Sequence, residues 1–194
     1  MTQTYQHNPR PVGGPISFTL DGDRLTVDSG RKVHDVQLGA VESVRMVYEP
    51  GRLGRKAFLT KVRMKDGKTF SFSSVSWRSM IEAEQLTGPY RAFTQALFEA
   101  IARANPDVRF LAGKPYWLWL ATTVLAVASL LAMAVLIWRA LQMGSTSVAL
   151  LGAFFALVGV WQIEPMVRLN RPRSFRPEAP PPELLPGLPV TTRA

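Results

Sequence analysis

The densest group of functional side chains in this sequence is cationic. Residues 52–68, RLGRKAFLTKVRMKDGK, hold Arg52, Arg55, Lys56, Lys61, Arg63, Lys65 and Lys68 against one acid, Asp66, a net +6. Lys61, Arg63 and Lys65 alternate with Val62 and Met64, so on a strand the cations share one face and the apolar pair the other. Such a row can contact anionic lipid headgroups, where each Lys or Arg near a negative leaflet contributes about 1 kcal/mol. It can meet a protein partner, or it can simply solvate and protect a sheet edge. Nucleic acid suits it less, because neither an aromatic-interleaved motif nor a basic recognition helix accompanies it. The expectation is no nucleic-acid partner.

The remaining chemistry is sparse. GRLGRK lacks the Gly-Lys-Ser/Thr ending of a phosphate-binding loop, and Gly13-Gly14-Pro15 precedes a strand rather than opening a helix. Neither GxSxG nor HExxH occurs. Zero Cys excludes a disulfide scaffold, Cys-ligated zinc, an iron–sulfur cluster and a Cys nucleophile. With only His7 and His34, the sequence predicts no multi-histidine metal site. His34 alternates with Val36 and Leu38 and is expected as a partly buried strand residue rather than a base. Glu164, with Arg168 nearby, reads as a solvated or paired carboxylate at a membrane boundary rather than an ion-pathway acid. The sequence therefore predicts no enzyme, no cofactor and no catalytic or metal residues.

The elements that must carry these residues follow from how charge and hydrophobicity are distributed. The 194 residues combine a net charge of +9 with 47% hydrophobic content. Tyr116 to Trp138 contains no charge, and at about 1.5 Å per residue its 23 residues reach roughly 35 Å, enough to cross a ~30 Å hydrocarbon layer. Tyr116, Trp117, Trp119 and Trp138 sit where headgroup-level rings are expected. A second span is predicted over 147–167, so the pair forms a tight hairpin. Small residues recur at helical spacing: Ala121, Ala128 and Ala132 on the first span, and Ala149, Gly152, Ala153, Ala156 and Gly159 on the second. Such stripes allow close helix packing, within the hairpin or between copies. Arg103, Arg109 and Lys114 precede the hairpin and Arg168, Arg171, Arg173 and Arg176 follow it, while its loop holds only Arg139. The positive-inside rule puts both termini in the cytoplasm. MTQTYQHNPRPVGG has no apolar stretch of the signal-peptide kind.

Residues 1–15 are expected to be a flexible lead. From Ile16 the chain alternates with period two and breaks at turn residues such as Asp21-Gly22-Asp23 and Asp66-Gly67, the pattern of six short antiparallel strands. After Thr87-Gly88-Pro89 the apolar positions Phe93, Leu97, Ala100, Ile101 and Ala104 fall on one face of an amphipathic helix. Ser79–Leu86 is expected to form a short helix or an irregular lead. The fold class is α+β: an antiparallel β-domain over 16–112, covered by a C-terminal helix, and then a two-helix transmembrane hairpin. The tail, 170–194, has seven prolines among 25 residues and is expected to be extended or polyproline-like. Pro177-x-x-Pro180 and Pro186-x-x-Pro189 are weak groove-docking signals, and Leu184-Leu185 is the pair best suited to become ordered.

The segments PYRAFTQALFEAIARANPDVRF and NRPRSFRPEAPPPELLP, set beside the meander and the hairpin, make the chain similar to uncharacterised proteobacterial two-helix membrane proteins with a pleckstrin-homology-like domain. The resemblance implies a fold more than a function, since such domains bind phosphoinositides, peptides or nothing known. The expected protein is a non-enzymatic bacterial inner-membrane component with scaffolding, regulatory or accessory-subunit character. Its expected partners are the bilayer, anionic inner-leaflet lipids, and a membrane protein or second copy. The alternative is a component of a transport or lipid-handling complex.

Overall fold

The computed structural model describes residues 2–50 and 56–185 and divides the chain into two compact units. One is an α+β unit built from residues up to Ala112 together with the segment from Arg173; the other is a helical hairpin, Gly113–Pro172.

In the α+β unit, β1 (Gln3–His7), β2 (Ile16–Asp21), β3 (Arg24–Asp28) and β4 (Val33–Gln37) form an antiparallel sheet in sequence order. The expected lead over 1–15 thus contains a strand. Tyr5 and His7 are each 2% exposed, and that buried i, i+2 pair outweighs the Pro- and Gly-rich residues after it. A second sheet holds β5 (Val41–Pro50), β6 (Lys56–Met64) and β7 (Thr69–Ser73), joined on the β5 side by β10 (Arg109–Ala112) and β11 (Arg173–Ser174). This sheet is mixed, because β10 runs parallel to β5. A small hairpin, β8 (Val75–Trp77) and β9 (Ala83–Gln85), occupies the stretch expected to be helical or irregular.

Helix α1 (Thr87–Ala104) buries Tyr90, Phe93, Leu97, Phe98 and Ile101. Phe93 stacks on Tyr5 at 5.5 Å and meets Phe72 edge-on at 5.3 Å, so one ring touches both sheets. Each fully buried aromatic of this kind contributes about 1.5–3 kcal/mol of transfer free energy. The polar tips in this cluster are satisfied: the Tyr5 hydroxyl donates to the Ser73 carbonyl, and Tyr90 and Thr60 share a 2.7 Å hydrogen bond. Asn105 ends α1, and its Nδ2 donates to the Val41 carbonyl at 2.7 Å.

The tail departs most from expectation. Ser174 and Arg173 pair with Leu111 and Ala112, Phe175 lies 5.7 Å from both Phe98 and Phe110, and Leu184 and Leu185 are 0% and 3% exposed. Proline content alone favours an extended, solvated chain, but these apolar anchors fold the segment back as part of the unit. Pro186-x-x-Pro189 lies outside the described residues.

The hairpin comprises α2 (Tyr116–Gln142) and α3 (Thr146–Leu169), both long and apolar enough to cross a membrane. Helix α2 runs four residues beyond the span expected to end at Trp138, because the turn needs only Met143, Gly144 and Ser145. Gly144 adopts φ +73°, and Ser145 N–H donates back to the Ala140 carbonyl, the left-handed closure glycine supports. At the open end Lys114 N–H donates to the Asn170 carbonyl and Trp119 Nε1 to the Val167 carbonyl. Gly113, at φ +79°, passes so close to the Asn170 and Arg171 carbonyls that any Cβ would collide with them.

A cationic sheet face as the candidate functional site

The second sheet sorts its side chains by alternation. Val44, Met46, Phe58, Thr60, Val62, Met64 and Phe72 are buried. The intervening residues form rows on the opposite face. Arg45 lies opposite Lys61, which lies opposite Ser71, and Leu111 flanks Arg45 on β10. In the next row Arg109, Ser43, Arg63 and Thr69 are aligned across four strands. Directly opposed side chains have Cβ atoms about 5 Å apart, so Arg45, Lys61, Arg63 and Arg109 form one cluster.

The register irregularity between Val41 and Ser43 places Glu42 beside these rows. Glu42 accepts from Arg63 Nε at 3.2 Å and from an Arg109 terminal nitrogen at 2.7 Å. One carboxylate therefore braces two guanidiniums, and the cluster holds four cations for one anion. Crowding leaves its mark on Arg45, whose guanidinium is pushed below its ordinary pKa by burial and then by the charge of Arg109. Lys61 has no ion-pair partner among the described residues. Arranged this way, the face offers guanidinium forks and an ammonium to phosphate or carboxylate oxygens.

The seven basic residues singled out from the sequence do not act as one set. Lys61 and Arg63 join the cluster. Lys65 Nζ instead donates to the Gly39 carbonyl at 3.3 Å, and Lys68 pairs with Asp66 at 2.8 Å within the β6–β7 turn. Lys56 is exposed at the start of β6, while Arg52 and Arg55 lie outside the described residues. Sequence alternation missed Arg45 and Arg109, which reach the face only through the β5–β6 register and the parallel pairing of β10. Arg45 and Arg109 each stand between apolar neighbours, away from the basic run, and carry no signal of their own.

On α3, Ala149 is buried and Gly152, Ala153, Ala156 and Gly159 are half-buried. A Cβ on Gly152 would stand 3.0 Å from Ile137 Cγ1. On α2 the expected small-residue stripe is displaced: Ala121, Ala128 and Ala132 are exposed, and the half-buried side is Ala126, Leu130, Met133 and Ile137. Large side chains on α2 thus meet small ones on α3, because small residues on both sides would leave voids between the helices. His34 is exposed rather than partly buried, since edge strand β4 buries only Val36. Glu164 pairs with Arg168 at 2.5 Å, one helical turn on. Among the described residues, no group of three or more His, Asp or Glu could hold a metal ion.

No protein-family model matches the chain, and no curated protein matches it.

Proposed function

We propose that this is a non-enzymatic, membrane-anchored binding protein that meets anionic lipid headgroups through the cationic face of its second sheet. The observation that carries this reading is the gathering of Arg45, Lys61, Arg63 and Arg109 from three strands around the single carboxylate of Glu42. A pleckstrin-homology-like assignment for the α+β unit agrees with four strands in one sheet, three consecutive strands in the next and a helix after them. The hairpin interrupts that unit between paired strands: β10 leads into α2, α3 leads into β11, and β10 pairs with β11. Both ends of a membrane-crossing hairpin must then lie on one side of the bilayer. The Lys/Arg distribution favours the cytoplasm for that side, and a bacterial inner membrane is our reading from the resemblance. Such an anchored binding face suits a scaffolding or accessory-subunit role.

With a net +3 on the cluster and about 1 kcal/mol per charge at an anionic surface, headgroup contact should favour anionic over zwitterionic lipid by on the order of a hundredfold. The test uses the whole chain in nanodiscs, because the segment after α3 belongs to the α+β unit. The chain has no cysteine, so Thr69→Cys beside Arg63 takes a single fluorophore. Quenching by headgroup-spin-labelled lipid should rise in anionic nanodiscs and be lost when Arg45, Lys61, Arg63 and Arg109 are all changed to Gln. Equal quenching in zwitterionic nanodiscs, or quenching that survives the four substitutions, would overturn the reading.

A further inference from the structure

Next to the cationic cluster the same sheet carries a cavity of about 240 Å³. Its walls include His7, Leu59, Ser71, Ser73, Val75 and Trp77. Ser71 belongs to a row already described, and Leu59 and Ser73 form the next row along the same face. Leu59 is two residues from Lys61 on one face of β6, about 7 Å along the strand. Ser71 stands directly opposite Lys61, and Ser73 opposite Leu59. The cavity therefore ends where Lys61 and Arg45 begin. Glu49, another lining residue, sits at its far end on β5, four residues from Arg45 and about 13 Å away along the strand. Along β5 and β6 the face thus runs from a carboxylate, through an apolar recess walled by an indole, to a pair of cations.

We propose that this recess binds one anionic amphiphile, a phosphate- or carboxylate-headed molecule whose short apolar stem lies against Leu59, Val75 and Trp77 while its head meets Lys61 and Arg45. The proposal rests on the same cationic face as the headgroup contact, but it assigns a discrete, saturable site where that contact needs only surface charge. Polarity fixes the orientation, since Glu49 repels the head from the opposite end. Size fixes the class. At about 240 Å³ the recess lies below the ~300–1,000 Å³ of pockets that enclose drug-sized ligands, so it accommodates a stem of a few carbons rather than a full acyl chain. His7 contributes a neutral wall at pH 7, because burial holds its pKa down to about 4. Ser71 and Ser73 supply hydroxyls at the junction between stem and head.

Trp77 is the one tryptophan of the α+β unit; Trp117, Trp119, Trp138 and Trp161 lie in the hairpin. The whole chain, labelled with 5-fluorotryptophan in zwitterionic nanodiscs, gives a ¹⁹F resonance assigned to the recess by its loss in Trp77→Phe. Hexyl phosphate should shift that resonance saturably, while inorganic phosphate and hexanol should not. Lys61→Gln should weaken the hexyl phosphate response at least fivefold and Lys61→Arg should restore it. Ala57→Leu, which fills the recess from β6, should abolish it. A matching shift on changing the nanodisc lipid to an anionic phospholipid would identify the bilayer as the source, and a response confined to added hexyl phosphate would identify a soluble amphiphile. An equal response to inorganic phosphate or to hexanol, or none to hexyl phosphate, would overturn the site. Run in parallel, the Thr69 quenching assay separates the two claims. Anionic preference there with a silent Trp77 removes the recess and leaves the face contact, and the reverse pattern removes the face contact.

Discussion

The α+β unit and the helical hairpin solve opposite problems with the same side chains. In the first, Tyr5, Phe18, Phe72 and Phe93 are at most 2% exposed and the charges face outward. In the second, Leu125, Leu131 and Leu157 are 63–71% exposed while Ala149 and Gly152 turn toward the partner helix. One unit is held together by removing apolar surface from water. The other has no such force between helices when its surroundings are as apolar as leucine, and depends on close approach. The largest test of that contrast compares two truncations. Phe93→Ala, which empties the contact between both sheets and α1, should cost about 3–5 kcal/mol of stability. Leu157→Ala, on the outward side of α3, should cost under about 1 kcal/mol for the chain in nanodiscs. Denaturant titration followed by near-ultraviolet dichroism measures both. Similar losses at the two positions would mean that α3 is packed against protein there.

The contrast was only partly legible in the sequence. The two apolar helices announced themselves by length and absence of charge, and Asp-Gly turns marked the β2–β3 and β6–β7 connections, because both signals are local. What failed was decided by contacts distant in sequence. Two alternating residues, Tyr5 and His7, are too few to outweigh a Pro/Gly-rich neighbourhood until Phe18 and Phe93 cover them. The stretch Arg109–Ala112 is too short to read as a strand until β5 offers an edge. The proline-rich tail reads as extended until Phe98 and Phe110 receive Phe175. The candidate site divides the same way. Lys61 and Arg63 followed from alternation within one strand, whereas Arg45 required the antiparallel β5–β6 register and Arg109 the parallel β10–β5 ladder. The α2 small residues do not face α3, because small residues alone do not say which side of a helix meets its neighbour in the hairpin.

A second test probes the interior of the α+β unit through acid. His7 is 2% exposed, its Nδ1 has no hydrogen-bond partner, and it stacks between Tyr5 and Phe18. Burial lowers its pKa to about 4 from the ordinary 6.5. Between those values the unfolded chain binds the proton and the folded chain does not, so stability must fall as pH drops from about 6.5 toward 4. At about 1.4 kcal/mol per pKa unit the full loss is about 3.5 kcal/mol, and little of it is felt above pH 7. His7→Phe should flatten this part of the stability–pH curve and leave the hairpin unaffected. An unchanged slope in that variant would assign the acid sensitivity to other groups.

The smallest expected stability effect, and the finest distinction, concerns Glu42. Arg63 and Arg109 are each more than 60% exposed at their side chains, and exposed pairs of this kind are worth about 0–1 kcal/mol. Glu42→Gln should therefore change stability by under about 1 kcal/mol. Its effect on binding should be larger and of opposite sign. The carboxylate occupies the place between two guanidiniums that an anionic head would take, and removing it raises the cluster from a net +3 to +4. Quenching of the Thr69 label in anionic nanodiscs should increase, with a steeper dependence on salt, while the Trp77 response to hexyl phosphate stays fixed because Glu42 lies at the Arg63 end of the rows. A Trp77 response that moves with Glu42 would merge the two ends of the face into a single site. Weaker anionic quenching would instead make Glu42 the brace that holds Arg63 and Arg109 in position.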